Sequence, residues 1–222
     1  MEHGTEYLFH IGPLGVTSYV TTQWGIIAII AIVSIIATRN MKRLPTGAQN
    51  FVETIVEMLL NFFSGILGEE KARMCFPFLG TMFIFILMSN YSGLLPGAGH
   101  VNGLAAPSST WSVTAGLALC VFFATHYFGI KVQGLKYFKS FAQPVFLMLP
   151  LNLVEQCVRP LSLSLRLYGN IFGEEMTLAV LLSLVPWFVP VTMMGLSVLL
   201  GFIQAVVFTL LSSIYFVEAI HH

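Results

Sequence analysis

The stretch that decides the fold is Arg159-Pro-Leu-Ser-Leu-Ser-Leu-Arg166-Leu-Tyr-Gly-Asn170-Ile-Phe-Gly-Glu174-Glu175. It places charged side chains inside a run that is otherwise apolar enough for membrane depth. Arg166 keeps its proton in a protein, so it cannot avoid the cost of desolvation by becoming neutral. That cost is roughly 3 to more than 10 kcal/mol at a bilayer centre. The stretch therefore predicts a negative partner or a water-filled cavity for Arg166, the alternative being an arginine that snorkels from a helix end.

Helical periodicity divides this stretch into two faces. At 100° per residue, one small and polar face contains Arg159, Ser162, Arg166, Gly169, Asn170 and Gly173. Glycines on that face allow another helix to approach closely. Glu175 lies nine residues after Arg166 and projects to roughly the opposite side. One helix is thus predicted to present a fixed cation on one side and a carboxylate on the other.

The composition of the whole chain is that of an integral membrane protein. Of its 222 residues, 56% are hydrophobic and 9% are charged, whereas soluble domains carry about 25% charged residues. The net charge of zero and the lack of a basic patch argue against nucleic acid as a partner. The sequence has no metalloprotease, nucleophile-elbow or phosphate-loop motif, so we predict no enzymatic activity of its own, no cofactor and no metal site.

Uncharged runs with basic flanks predict an all-α, polytopic membrane domain. The expected elements are an external N-terminus over 1–19, a first span over 20–38, an interfacial amphipathic helix over 47–68, further spans over 75–95 and 111–130, and a long helical hairpin over 144–184 and 191–217. Basic residues after the first and third spans place those flanks in the cytoplasm, so the N-terminus is expected outside and the C-terminus inside. Since the hairpin helices are longer than a hydrocarbon core of about 30 Å, they are expected to be tilted, bent or parallel to the membrane plane.

A fixed cation in a dry helix interface suits a carboxylate that moves past it on another subunit. Against lipid such a carboxylate is protonated, because a bare charge there is very costly. Beside Arg166 its ionised form is favoured, because an opposite charge within a few Å lowers a carboxyl pKa. Polar side chains that are candidates to line an aqueous path with Glu175 are Asn170, Gln204, Ser197 and Asn90. For each of these amides and hydroxyls the alternative is an ordinary hydrogen bond between helices.

Several motifs, taken together, resemble subunit a of the F-type ATP synthase membrane sector. They are Arg159-Pro-x-Ser-Leu-x-Leu-Arg166-Leu-Tyr-Gly-Asn170, Glu175, Gln204, Met-Ser-Asn90-Tyr-Ser-Gly-Leu-Leu-Pro and Pro107-Ser-Ser-Thr-Trp-Ser-Val-Thr114. The resemblance implies that the hairpin packs on a ring of c subunits and that Arg166 faces the ring carboxylates. It implies positions along the half-channels or at the ring contact for Asn170, Glu174, Glu175, Gln204, Ser197, Asn90 and Ser162. It further implies peripheral-stalk b subunits and membrane lipid as partners, in a bacterial inner membrane or, less favoured, a thylakoid.

Three departures from the family pattern concern the outer half-channel. Ser197 stands where many bacterial relatives carry His, and Glu174 with Glu175 forms a pair where they carry a single Glu. Gly93 and Thr110 stand where many relatives carry Asp. The lining of that half-channel is therefore expected to differ from the family pattern.

Two questions stay open at the level of sequence. The coupling ion is H⁺ or Na⁺, with H⁺ favoured, because in this family the ion is selected mostly by ligands on the c subunit. The alternative function is a stand-alone secondary transporter that binds an anionic substrate at Arg166. The short chain and the absence of an inverted repeat argue against that alternative.

Overall fold

The computed structural model describes residues 7–11, 14–39, 47–95, 106–134, 137, 149–184 and 189–221. Its long helices are α1 (Ser18–Thr38), α2 (Ala48–Leu67), α3 (Glu69–Ser92), α4 (Trp111–Gln133), α5 (Leu149–Leu184) and α6 (Val189–His221). Pro107–Ser109 forms a short 3-10 helix before α4. Strand β1 (Tyr7–Ile11) pairs antiparallel with β2 (Leu14–Thr17), and this hairpin before α1 is an addition to the predicted all-α fold.

Five helices of the described ranges are long and apolar enough to cross a membrane, so the chain is a polytopic membrane protein. They are α1, α2 from Gln49, α3, α4 and the Thr192–Ile220 part of α6. The inclusion of α2 is notable because its amphipathic pattern predicts an interfacial position, which stays a prediction. Its buried side chains, Leu59, Phe63 and Leu67, belong to the common hydrophobic core, while Phe51 is two-thirds exposed. The helix therefore packs on the bundle along a stripe that includes these three residues.

A single glycine turns the chain from α2 into α3. Gly68 has a φ of 79° and a ψ of 154°, a conformation that only glycine adopts without strain. Its N–H donates to the carbonyl of Ser64 and its carbonyl accepts from the N–H of Ala72, both at 2.9 Å. Glu69 and Glu70 form the first turn of α3, where the helix dipole favours carboxylates. The helix consequently begins before the apolar run that was predicted from residue 75.

The hydrophobic core lies where α3, α4, α5 and α6 meet, with α2 on one side. Phe216 of α6 is fully buried between Phe78 of α3 and Phe128 of α4, at ring-centroid distances of 5.8 and 5.2 Å. Each such aromatic pair adds about 0.5–1.5 kcal/mol to the effect of burial alone. On α1, by contrast, only Thr22 and Ile26 are buried. The remaining apolar surface of α1 is available to lipid.

The longest helix, α5, has 36 residues and continues through Pro160. At about 1.5 Å per residue it is about 54 Å long, well above the ~30 Å of a hydrocarbon core. It packs against α4 and α6, while its tilt relative to a membrane stays a prediction. The predicted hairpin start at 144 and its break at Pro186 lie outside the described residues. Of the basic residues on which the predicted orientation depends, Arg39 and Lys131 are described, whereas Lys42, Arg43, Lys136 and Lys139 lie outside the described residues.

Candidate functional site

The two ends of the bundle differ in chemistry. We call the end that contains Gly93 and Pro107–Ser109 the loop end, and the end that contains Gln133 and Glu218 the C-terminal end. Leu163, Leu167 and Ile171 attach α5 to the core, since their side chains are buried. These residues follow the helical repeat, so the opposite side of α5 faces away from the protein.

Arg166 lies on the outward side of α5. Its side chain is exposed, as are Ser162, Gly169 and Gly173. A methyl group added at either glycine would meet no other atom within 4 Å. Both ion pairs found among the described residues involve Arg159, so within this part of the chain Arg166 has no carboxylate partner. Four members of the predicted small and polar face therefore lie on the exposed side of α5, whereas the side chain of Arg159 is only 14% exposed.

A small open cleft lies at the loop end, on the other side of α5. Its lining residues are Asn90, Gly93, Leu94, Ala106, Ile171, Glu174, Glu175, Leu178 and Ser197. The Ser197 hydroxyl of α6 faces the Glu174 carboxylate, whose Oε1 atom is buried without a hydrogen-bond partner among the described residues. Glu175 is more exposed and lies beside Ser109 of the 3-10 helix. The structure thus brings two carboxylates, an amide and a hydroxyl from three helices to one open cavity.

Asn90 joins α3 to α6 at the wall of this cleft. It is buried, and its Nδ2 donates to the carbonyl of Gly201 at 3.0 Å. The neighbouring Tyr91 hydroxyl donates to the carbonyl of Val198 at 3.3 Å. Gly201 permits this close approach, because a methyl group there would lie 3.3 Å from the Cβ of Asn90. Asn90 therefore makes the interhelical hydrogen bond that was the alternative interpretation, while its Oδ1 has no partner among the described residues.

The remaining predicted residues divide between the surface and the interior. Asn170 is half-buried on α5, between the open face and the core. Gln204 is 7% exposed inside the bundle, and within the described part of the chain its buried Nε2 has no hydrogen-bond partner. Neither residue is among the described residues that line the loop-end cleft.

The C-terminal end contains an ion pair that the sequence did not reveal. The Arg159 guanidinium donates to Glu218 of α6 at 2.6 Å and to Glu155 of its own helix at 2.9 Å. It also lies over the ring of Tyr215, 5.3 Å from the centroid. Glu155 was detectable as an i,i+4 partner, but Glu218 is 59 residues away in sequence and only the fold brings it to Arg159.

Comparison with known proteins shows the family to which the chain belongs. Residues 20–217 match the sequence profile of the family described as ATP synthase A chain. The chain is also 40% identical over 214 residues to "ATP synthase subunit a 2" of Bradyrhizobium sp. (strain BTAi1), an alignment that covers 96% of this chain and 93% of that protein. The chain therefore belongs to the ATP synthase A chain family, whose members are non-catalytic subunits of the membrane sector of the F-type ATP synthase.

Proposed function

We propose that this chain is the ion-translocating stator subunit of a rotary ATP synthase, with Arg166 as the group that meets the c-ring carboxylates. The observation that carries the proposal is the exposed guanidinium of Arg166 on a face with Ser162, Gly169 and Gly173. A cation in such a place needs a negative partner from outside the chain. The small residues around it let a helix of the ring come close enough to supply one.

The chemistry follows from the different environments on the two sides of α5. A ring carboxylate is neutral while it faces lipid and becomes ionised beside Arg166, since the guanidinium favours its charged form. Arg166 cannot release a proton, so ions do not pass directly from one half-channel to the other. Ions instead travel with the ring for almost a full turn, and that coupling converts ion flow into rotation and ATP synthesis.

The loop-end cleft is the proposed outer half-channel. Glu174 and Glu175 of α5 line it together with Asn90 of α3 and Ser197 of α6. Three of its features suit an aqueous path: it is open, it is lined by groups that exchange protons or accept hydrogen bonds, and Glu174 has a buried oxygen without a hydrogen-bond partner among the described residues. Water that enters the cleft satisfies that oxygen and carries the ion towards the ring. Asn170 and Gln204 are proposed to lie between this cleft and the ring.

The proposed setting is a bacterial inner membrane, with the loop end outside and the C-terminal end in the cytoplasm. The exposed apolar side chains of α1, which include Ile32, Ile35 and Ile36, suit lipid and the membrane helices of peripheral-stalk b subunits. Membership of the subunit a family argues against the stand-alone transporter. We retain H⁺ as the proposed coupling ion, with Na⁺ as the alternative.

ATP-driven ion pumping in vesicles that contain the reconstituted complex tests the proposal. Arg166→Ala should abolish pumping while the complex still assembles and hydrolyses ATP. The matched control is Arg73→Ala, which removes the same side chain from an exposed site in the first turns of α3 and should pump normally. Pumping by the Arg166→Ala complex at the level of the control would refute the central role of Arg166. The same assay with and without Na⁺ decides the ion, since a proton motor runs equally in both.

A further inference from the structure

The α5 helix carries two arginines on nearly the same side with different surroundings. Arg159 and Arg166 are seven residues apart, which places them about 10 Å apart along the axis and within about 20° in direction. Arg166 is exposed and unpaired among the described residues, whereas the side chain of Arg159 is 14% exposed and bonded to two carboxylates. Only one of those carboxylates, that of Glu218, belongs to another helix.

Glu218 lies in a firmly held part of α6. Two residues before it, Phe216 is fully buried in the aromatic core. One residue after it, the carbonyl of Ala219 accepts a hydrogen bond from Nε2 of Gln133 on α4 at 3.2 Å. The Arg159–Glu218 pair, which we call the clasp, therefore connects α5 to a segment that α3 and α4 already fix.

The direction of Arg166 depends on how α5 is rotated about its own axis. Beyond Arg166, the ring of Tyr168 packs edge-on against Trp111 of α4 at 5.8 Å. Before Arg166 in the chain, and on the other side of the helix from Tyr168, the clasp holds Arg159 against α6. A guanidinium about 6 Å from a helix axis moves about 2 Å when the helix rolls by 20°. Such a shift is large for an ion pair, since misplacement by about 1 Å costs up to about 100-fold in catalytic systems.

We propose that Arg159 is a positioning residue: its clasp with Glu218 fixes the rotation of α5 and thereby aims Arg166 at the partner carboxylate. This inference rests on the proposed function of Arg166. Glu155 is not part of the clasp, because it lies one turn before Arg159 on the same helix and cannot restrain the rotation of that helix. The two carboxylates thus contact the same guanidinium nitrogen but have different expected roles.

That contrast supplies a matched pair of variants, Glu218→Gln and Glu155→Gln, in the whole complex. The readout is the number of ions pumped per ATP hydrolysed in vesicles. A merely structural defect lowers the amount of complex, and with it pumping and hydrolysis in proportion, so the ratio stays constant. We expect Glu218→Gln to lower the ratio at least about threefold, and Glu155→Gln to leave it near the wild-type value. The exchange Arg159→Glu with Glu218→Arg keeps the charges of the cluster and should recover at least half of the loss.

Equal ratios in the Glu218→Gln and Glu155→Gln complexes would overturn the clasp, and so would an exchange variant as defective as Glu218→Gln alone. If Glu218→Gln yields no complex, Arg159→Lys takes its place, because it keeps the charge but replaces the rigid, planar guanidinium by a flexible ammonium group. Its ratio should be lowered too, and a wild-type ratio would overturn the proposal. The Arg166→Ala result is independent of these variants. If the Arg166→Ala complex pumps ions, the proposed function fails. If Arg166→Ala abolishes pumping but the clasp variants keep the wild-type ratio of ions pumped per ATP, only the clasp fails.

Discussion

The close contact between Gly93 and Ala106 gives a quantitative test of the loop-end cleft. Gly93 follows α3 with φ −69° and ψ −21°, an ordinary helical conformation that any residue adopts. The barrier to a side chain there is space, because the Cβ of an alanine would lie 2.8 Å from the Cβ of Ala106. Methyl carbons in contact are about 3.5–4.0 Å apart. Since both atoms are attached directly to backbone, Gly93→Ala forces the 106–109 segment away from α3.

The expected magnitudes follow from this geometry. Overpacking costs about 1–3 kcal/mol, and replacing glycine by alanine recovers about 0.4–1 kcal/mol by restricting the unfolded chain. Gly93→Ala should therefore destabilise the protein by about 1–2 kcal/mol. Ala106→Gly should cost a similar amount, because it removes a buried methyl worth about 0.8 kcal/mol and adds backbone freedom. The double variant should lie within about 1 kcal/mol of wild type, because the new methyl occupies the vacated space.

The assay uses Cys75, which is fully buried in the core, while Cys120 and Cys157 are exposed. The chain has three cysteines, so replacing those two by Ser leaves Cys75 as its one remaining thiol. Its labelling rate in the purified complex reports opening of the core. Gly93→Ala should raise that rate about 5–30-fold, the factor that corresponds to 1–2 kcal/mol. An unchanged labelling rate of Cys75 in Gly93→Ala would refute the reasoning. So would a double variant whose labelling rate corresponds to the summed destabilisation of the two single variants.

The other predictions concern the polar lining of the cleft. Glu175→Gln should slow ATP-driven pumping without abolishing it, because Glu175 is more exposed than Glu174 and water can bypass it; a complete loss, equal to that of Arg166→Ala, would make Glu175 an obligatory ion carrier. Glu174→Gln should slow pumping more than Glu175→Gln, since its buried oxygen lies inside the cleft, and the reverse order of rates would contradict this. Asn90→Leu removes the hydrogen bond to Gly201 and should destabilise the protein by about 1 kcal/mol, seen as roughly fivefold faster labelling of Cys75.

Helical periodicity correctly placed part of the predicted face of α5 on its exposed side. Ser162, Arg166, Gly169 and Gly173 are exposed, whereas Asn170 is half-buried and the side chain of Arg159 is only 14% exposed. This works because a long regular helix repeats every 3.6 residues whatever its neighbours do. The same reasoning explains why the helices lie where the apolar runs are, even though α3 begins earlier than its apolar run.

Contacts between distant segments could not be predicted in this way. The hydrogen bond from Asn90 reaches a residue 111 positions away, and the salt bridge from Arg159 one that is 59 away. Neither partner shares a local pattern with the residue that it contacts. The sequence also did not reveal which of the two adjacent carboxylates is buried. Periodicity pointed to Glu175, whereas Glu174 has the buried oxygen atom and lies beside Ser197. Neighbouring residues differ by only 100° on a helix, so burial is decided by what packs there and not by the pattern.

The fit at Gly93 also bears on where this chain keeps its acidic groups. Many relatives are expected to carry Asp at this position, but here Ala106 occupies the space that any side chain would need. A carboxylate at the end of α3 would displace the 106–109 segment that closes one wall of the cleft. The acids of the described cleft come instead from α5, as Glu174 and Glu175. They lie on the same helix as Arg166, so the rotation that leaves the guanidinium exposed also places Glu174 beside Ser197 of α6 and Glu175 beside Ser109.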